Sequence, residues 1–346
     1  MHYLTWQECL TAKPFTRIID VRSPGEFARD RIPGAVNLPV LSDAERAEVG
    51  TLYVQGSRFA ARRVGAALVA RNVSAHLETW FAPFPEHARF LLYCWRGGQR
   101  SRAMATILHA VGWNVTVISG GYKGYRAHVR ESLQTAASRM QCRLLSGLTG
   151  SGKTRLLQTM AAQGMQVLDL ETIGAHRGSL LGDEPGLEQP SQKYFESLLL
   201  ERIEKFDPAR PVWIEAESKR LGRLWLPEAL WESMQRAPVH EMEVPAVERA
   251  SFLLREYPHF TADPEALMAR LETLREPCGG KRLAEWAEQI RSGDWHGFVC
   301  SILRHHYDPV YIRNRKCLPP AAVHAMNTLD ASALQDMARV LAAAPD

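Results

Sequence analysis

The sequence predicts two successive α/β domains followed by a helical C-terminal region. Three observations predict it. Short apolar runs alternate with stretches of helical periodicity, the pattern of parallel strands joined by crossover helices. Two of those runs, "FLLYC" (Phe90 to Cys94) and "RLLSG" (Arg143 to Gly147), break into glycine-rich turns that open helices. From about Pro245 the segments "AVERASFLLREY", "DPEALMARLETL", "RLAEWAEQI" and "GFVCSILRHHY" each place apolar residues at i, i+3 and i+4. We read the domains as residues 1–138, 139–245 and 246–346, with the last packed on the second.

Taken in order, "RIIDV" (Arg17 to Val21) is a short buried strand, "SPGEF" a turn entering a helix, and "IPGAVNLP" a punctuated loop. A helix follows over Phe59 to Arg71, then the strand ending at Cys94. "NVTVISGGYKGYRAHV" supplies a strand over Val115 to Ile118, a glycine turn and a helix. The helix from about Tyr125 to Ser138 joins the first domain to the second. Across the 346 residues, 46% are hydrophobic and 23% charged, the composition of a soluble globular protein. No apolar run reaches the roughly 20 residues of a membrane span, and "MHYLTWQECL" lacks the form of a signal peptide. The six cysteines are scattered and form no CxxC pair, which points to a reducing, cytoplasmic setting rather than a disulfide or zinc framework. A net charge of +4 does not by itself argue for nucleic-acid binding.

The loop "CWRGGQRS" carries the first candidate site. Cys94 stands where a strand gives way to a helix N-terminus. Gly97 and Gly98 admit backbone conformations closed to other residues. Backbone N–H groups of such a loop favour an anion, and Arg96 and Arg100 add positive charge, with Arg100 expected to aim at the Cys94 sulfur. That setting favours a nucleophilic thiolate. The other reading is a buried, inert cysteine at a strand end. "DVRSPGEF", "IPGAVNLP", the loop after "LLYC" and the closing "GGYKGYR" resemble a rhodanese domain over roughly residues 4 to 135. The resemblance implies that Cys94 carries sulfur or selenium in a persulfide-type intermediate. "CWRGGQR" also fits the CxxGxxR loop of cysteine-dependent phosphatases, although Tyr93 stands where those enzymes have histidine.

The second candidate site is the run "GLTGSGKT". Gly147, Gly152, Lys153 and Thr154 satisfy G-x-x-x-x-G-K-[ST], between a strand and a helix as the motif requires. Gly150 and Ser151 complete the loop. Its N–H groups wrap a phosphate, Lys153 neutralises charge, and the Thr154 hydroxyl is placed for Mg²⁺. "PVWIEAESKRLG" supplies the acidic strand end, with Glu215 and Glu217 where nucleotide hydrolases more often carry aspartate. This allows a site that binds a diphosphate without hydrolysing a nucleotide. Asp169, His176, Arg177, Gln189, Gln192 and Lys193 are expected on loops along the same edge of a doubly wound sheet. Basic residues, namely Lys219, Arg220, Lys281, Arg282, Arg313, Arg315 and Lys316, together with Tyr307 and Tyr311, suit RNA phosphates and unstacked bases. His305 and His306 have no metal-ligand partner spacing, and no metal site is assigned to protein ligands alone.

A rhodanese-like domain carrying "CWRGGQRS", joined to a P-loop domain with "GLTGSGKT", "LDLETIGAHRGSLLG", "QPSQKYFE" and "IEAESKRLG", resembles the tRNA 2-selenouridine synthase family over nearly the whole chain. The C-terminal "YDPVY" resembles a motif of that family. The resemblance implies action on 2-thiouridine in the tRNA anticodon loop. The sulfur is geranylated from geranyl diphosphate, and selenium from selenophosphate then replaces the S-geranyl group. ATP and selenophosphate are the other occupants of the phosphate loop that the sequence leaves open. It also implies tRNA as partner, a selenophosphate-supplying enzyme upstream, and no membrane. Two other readings stand beside it: a nucleotide kinase or NTPase with a regulatory rhodanese module, and a sulfur-relay adaptor.

Overall fold

The structure is a computed structural model that describes residues 1–176, 188–216, 218–314 and 320–344. The chain divides into two units, Met1–Ala136 with Pro190–Glu204, and Ala137–Gln189 with Lys205–Asp346.

The first unit is built on five strands, β1 (His2–Leu4), β2 (Arg17–Asp20), β3 (Val36–Asn37), β4 (Arg89–Tyr93) and β5 (Asn114–Ile118), in the order β1-β5-β4-β2-β3. Every pairing is parallel. β4 is central and covered on both faces, so it reads as an unbroken apolar run. The helix Gln99–Val111 lays Met104, Ala105 and Leu108 onto this sheet, against Phe90, Leu92, Val115 and Val117. It stops at Gly112, whose φ of 119° closes the C-terminus. β1 was not expected. It lies at the sheet edge and is largely exposed, so it carries no apolar run.

The helix Gln192–Ile203 belongs to this first unit, far along the chain from the rest of it. Ser191 caps it by accepting from Tyr194 N, and Phe195, Leu199 and Leu200 are buried. Its polar ties are specific. Ser197 Oγ donates to Asp30 Oδ1 at 3.0 Å, Arg126 pairs with Glu196, and the Arg31 guanidinium lies 3.8 Å from the Tyr194 ring centroid.

The second unit contains β6 (Cys142–Gly147), β7 (Gln166–Leu168), β8 (Val212–Glu215), a ribbon of β9 (Arg220–Leu221) and β10 (Leu224–Trp225), then β11 (Val239–Glu243) and β12 (Ala322–Ala325). Its main sheet runs β12-β11-β6-β8-β7, all parallel, with β6 in the centre. Such sheets bind ligands beyond the carboxyl ends of their strands, and β6 leads there into the glycine loop. The region 246–346 is mostly helical, as expected, around Trp286 with Leu267, Leu271, Ile290, Phe298, Ile302 and Leu303. It also supplies the edge strand β12 and the helix Ala331–Ala342. Leu334, Ala338 and Leu341 of that helix pack on Leu156, Leu157 and Met160 of the helix Lys153–Ala162. "AVHA" is too short and too half-exposed to announce a strand.

Candidate active sites

Cys94 ends β4 and is 3% exposed. Two donors reach its sulfur. Gly98 N–H lies 3.2 Å from Sγ, and the wholly buried Ser101 hydroxyl lies 3.2 Å from the same atom and also 3.2 Å from the Gly98 carbonyl, sharing its one hydrogen between them. The loop is shaped by backbone contact with the glycine turn after β5. Tyr122 N donates to the Cys94 carbonyl at 2.8 Å and Lys123 N to the Trp95 carbonyl at 3.0 Å. Gly97 adopts φ +66°, and a Cβ there would stand 2.3 Å from the Ile118 carbonyl oxygen, so only glycine fits. The motif arginine of "DVR" anchors the same turn. Arg22 is buried in an ion pair with Asp20 at 2.6 Å, and its guanidinium lies 4.1 Å from the Tyr122 ring centroid.

The arginines of the loop do not take their expected places. Arg100 donates to Glu26 Oε2 at 2.7 Å, and Arg46 approaches the same oxygen at 3.0 Å. Glu26 also closes the capping box of the helix Pro24–Arg29 on Ser23. Burial works to raise the Glu26 carboxyl. The Arg100 hydrogen bond and the charges of Arg100 and Arg46 outweigh it and hold the group below the ordinary carboxylate range. The expectation that Arg100 aims at Cys94 is therefore corrected: its charge is held by a carboxylate. Arg96 is exposed. What cradles the sulfur is one backbone N–H and one hydroxyl, and Ser101, the residue closing "CWRGGQRS", was overlooked.

In the second unit, the loop from Gly147 to Thr154 joins β6 to the helix Lys153–Ala162. Gly152 adopts φ +74°, and a Cβ there would meet Leu329 at 2.9 Å. Lys153 Nζ donates to the Gly147 carbonyl at 2.9 Å and lies 3.4 Å from Glu215 Oε1. The Thr154 hydroxyl sits between two carboxylates, 3.0 Å from Glu171 Oε2 and 3.1 Å from Glu215 Oε2. Ser151 Oγ is buried with no hydrogen-bond partner, a donor suited to a phosphate oxygen. The oxygens of Thr154, Glu171 and Glu215 form a hard donor set that would suit Mg²⁺. Among the described residues no cluster of three or more His, Cys, Asp or Glu could hold a metal on its own.

Two supports brace this loop from the C-terminal region. Gly147 N–H donates to Tyr311 Oη at 3.1 Å. Arg249, 3% exposed, donates to the Thr149 carbonyl at 2.9 Å and grips Asp308 through both terminal nitrogens at 2.9 and 2.8 Å. Tyr311 and Asp308 both belong to "YDPVY". The Tyr311 hydroxyl thus has a role in holding the phosphate loop that the sequence did not announce.

The remaining expected residues are spread more widely. Asp169 caps the short helix Leu170–Gly174 by accepting from Thr172 N at 2.9 Å, while Glu171 is the acid of that segment that reaches Thr154. Gln189 belongs to the second unit, where its amide donates to the carbonyls of Gly174 and Leu221, both at 3.1 Å, and accepts from Arg223 N. His176 is buried against the Gly222 turn beside it. Gln192 belongs to the first unit and donates to Glu196 at 3.0 Å, and Lys193 accepts from Arg126 through its carbonyl. Lys219 pairs with Glu228, Arg220 donates to the Gly222 carbonyl, and Arg282 pairs with Glu285 at 2.7 Å. Lys281 and Arg313 are exposed. Arg177, Glu217, Arg315 and Lys316 lie outside the described residues. No helix among those residues is long and apolar enough to cross a membrane.

Comparison with known proteins matches both units. A rhodanese-like domain family covers residues 5–128, and the family described as the tRNA 2-selenouridine synthase AAA domain covers residues 140–292. Curated proteins named tRNA 2-selenouridine synthase align along most of the chain. The protein from Cupriavidus necator is 35% identical over 328 residues, covering 86% of this chain and 88% of its own. Those from Shewanella piezotolerans and Aeromonas salmonicida are 35% and 33% identical, each covering 85% of this chain and 87% and 86% of their own. With relatives 30–35% identical over about 86% of the chain, and with family models matching residues 5–128 and 140–292, this chain belongs to the tRNA 2-selenouridine synthase family.

Proposed function

We propose that this chain converts 2-thiouridine at the tRNA wobble position to 2-selenouridine in two steps, using geranyl diphosphate and then selenophosphate, in the cytoplasm. The observation that supports it is the presence, in one chain, of a thiol held by two hydrogen-bond donors and a complete phosphate loop with two carboxylates at its threonine.

In the first step the C2 sulfur of the uridine attacks the allylic carbon, an S–C bond forms, and the C–O bond to diphosphate breaks. The loop N–H groups, the Ser151 hydroxyl and Lys153 receive the charge that develops on the leaving diphosphate. Mg²⁺, where bound, adds positive charge there, with Thr154, Glu171 and Glu215 as the residues that would hold it. Glu215 beside Lys153 keeps the ammonium group at the loop.

Alkylation turns a poorly leaving thiocarbonyl into a group that departs as geranylthiol. In the second step selenium from selenophosphate becomes bonded to C2, geranylthiol leaves and the selenium–phosphorus bond is hydrolysed to phosphate, with no net oxidation. Cys94 is the residue assigned to this step, and its N–H and hydroxyl donors support its thiolate beside the reacting selenium. Exposed Lys281 and Arg313 are assigned to the tRNA backbone, and selenophosphate reaches the chain from the enzyme that makes it.

The test is mass spectrometry of nucleosides from 2-thiouridine tRNA incubated with geranyl diphosphate and then selenophosphate. Lys153→Ala should yield no S-geranyl product. Cys94→Ser should accumulate S-geranyl-2-thiouridine and form no 2-selenouridine. Full selenium incorporation by Cys94→Ser, or rapid ATP turnover without RNA by the native chain, would count against the proposal.

A further inference from the structure

The phosphate loop shares a wall with a partly open apolar cavity of about 80 Å³ in the second unit. Thr149 of the loop lines it, and Leu253, Leu267, Trp295, Phe298, Val299 and Ile302 are among its other walls. The shared wall is the helix Ala246–Glu256. Its Arg249 holds the Thr149 carbonyl, and its Leu253 stands so close to Gly150 that a Cβ there would lie 2.8 Å from Leu253 Cδ1. One helix face therefore buttresses the anion cradle and borders a hydrocarbon-lined space.

That juxtaposition asks for a ligand with an anionic head and an apolar tail. A nucleoside presents hydroxyls and base edges that need hydrogen-bond partners when buried. Most of the lining is leucine, valine, isoleucine and phenylalanine, which offer none, and Thr149, Tyr257, Thr261, Trp295 and Tyr307 contribute only scattered polar atoms, too few for a base and a ribose. A branched hydrocarbon chain needs only exclusion from water, at about 25 cal/mol per Å² buried. We propose that this cavity is the tail subsite of the diphosphate substrate, and that its walls set the accepted chain length. The proposal rests on the reading of the phosphate loop as a diphosphate site.

The experiment is calorimetric titration of the full chain, with Mg²⁺, by inorganic diphosphate and by dimethylallyl, geranyl and farnesyl diphosphates. Geranyl diphosphate should bind at least about thirtyfold tighter than inorganic diphosphate, as burial of only a few methylene equivalents would give. Val299→Phe, which fills the cavity, should cut that advantage about tenfold and leave inorganic diphosphate unchanged. Trp295→Ala, which removes a half-buried ring from the wall, should shift preference toward farnesyl diphosphate. If inorganic diphosphate binds in a Lys153-dependent way but geranyl diphosphate binds no tighter, the tail assignment is wrong while the loop reading stands. If no diphosphate binds, both fall. If both variants keep the native thermal transition and the native chain-length preference, the tail lies elsewhere. Should Val299→Phe fail to fold, an unmoved preference in Trp295→Ala is enough to overturn the assignment.

Discussion

Arg100 donates to Glu26 at 2.7 Å, and the Cys94 sulfur is left to the Gly98 N–H and the Ser101 hydroxyl, each at 3.2 Å. The Arg100 charge on the loop thereby holds the helix Pro24–Arg29, whose N-terminus Glu26 also caps. The thiol is served by neutral donors with fixed geometry. A thiolate gains from such donors as a hydrogen-bonded anion does, by about 1.5–3 kcal/mol for a bond to a charged group.

Ser101→Ala should therefore slow alkylation of Cys94 by iodoacetamide at pH 7 by about three- to tenfold, since it removes one of two donors from the nucleophile. Arg100→Leu should change the rate less than twofold and lower stability instead, because Glu26 loses its shortest partner. Cys142 is the internal control. Burial pushes its thiol up to about 11, only partly opposed by Arg236, so it should stay slow in every variant. Peptide-resolved mass spectrometry gives the rates. A strong effect of Arg100→Leu beside a null Ser101→Ala would return the arginine to the sulfur.

The acids of "LDLET" divide their work. Glu171 faces the Thr154 hydroxyl, and Asp169 caps a helix. Glu171→Gln should raise the Mg²⁺ concentration needed for half-maximal geranylation about tenfold or more, with little loss of fold stability. Asp169→Ala should cost about 1 kcal/mol in urea unfolding, the usual cost of a lost N-cap, and leave the Mg²⁺ dependence unmoved. Mg²⁺ titrations of the two variants, side by side with unfolding curves, decide the assignment. The reverse pattern would restore Asp169 to the rim.

Both glycine loops were legible in the sequence because each follows a strand buried on both faces, where the apolar run is unbroken, and because glycine is required by backbone approach at Gly97 and by φ at Gly152. What the loops' charged residues touch was not legible. The partner of Arg100 lies in the helix Pro24–Arg29, and sequence spacing carries no distance between them. Glu171 was passed over for Asp169 because the choice turns on where β7 stops. It stops at Leu168, which makes Asp169 the cap and turns the next acid inward. "YDPVY" was read for its aromatic rings, but the fold uses the Tyr311 hydroxyl and the Asp308 carboxylate. The strand "AVHA" went unread, and the helix after its Ser191 cap was read without its membership of the first unit, for a related reason. Each is placed by partners remote in sequence rather than by its own pattern.

Asp308 should prove structurally expensive to remove. Its partner Arg249 is 3% exposed, so Asp308→Ala leaves a buried guanidinium without its carboxylate. Loss of one member of a buried pair costs about 3–5 kcal/mol. Tyr311→Phe leaves Gly147 N–H without an acceptor and should cost about 1–3 kcal/mol. Both should also weaken inorganic diphosphate binding, because each tie ends on the phosphate loop. Urea unfolding and diphosphate titration measure the two effects. An Asp308→Ala protein within about 1 kcal/mol of the native one would show that the pair does not brace the loop.

His240 and His324 lie across β11 and β12 with Nδ1 and Nε2 3.1 Å apart, their rings stacked at 13°. Such a contact requires one ring to donate and the other to accept, so both imidazoles cannot be protonated there. Trp213 covers His240 edge-on at 4.8 Å, and Arg143 adds positive charge from β6. Burial first, then His324 and Arg143, hold His240 below the ordinary histidine value of 6.5, and burial lowers His324 as well. The folded chain therefore binds fewer protons at these rings than the unfolded chain, which takes them up as pH falls through about 6.5. The unfolded state then binds more protons, and stability is lost on acidification by up to about 1.4 kcal/mol per pH unit for each ring. Above pH 7 neither state binds the proton and the effect is absent. Thermal unfolding between pH 7.5 and 5.5 should show a fall in Tm that His324→Gln reduces by about half, since it removes one titrating ring and its repulsion of the other. An equal fall in the native and variant chains would place the acid sensitivity elsewhere in the molecule.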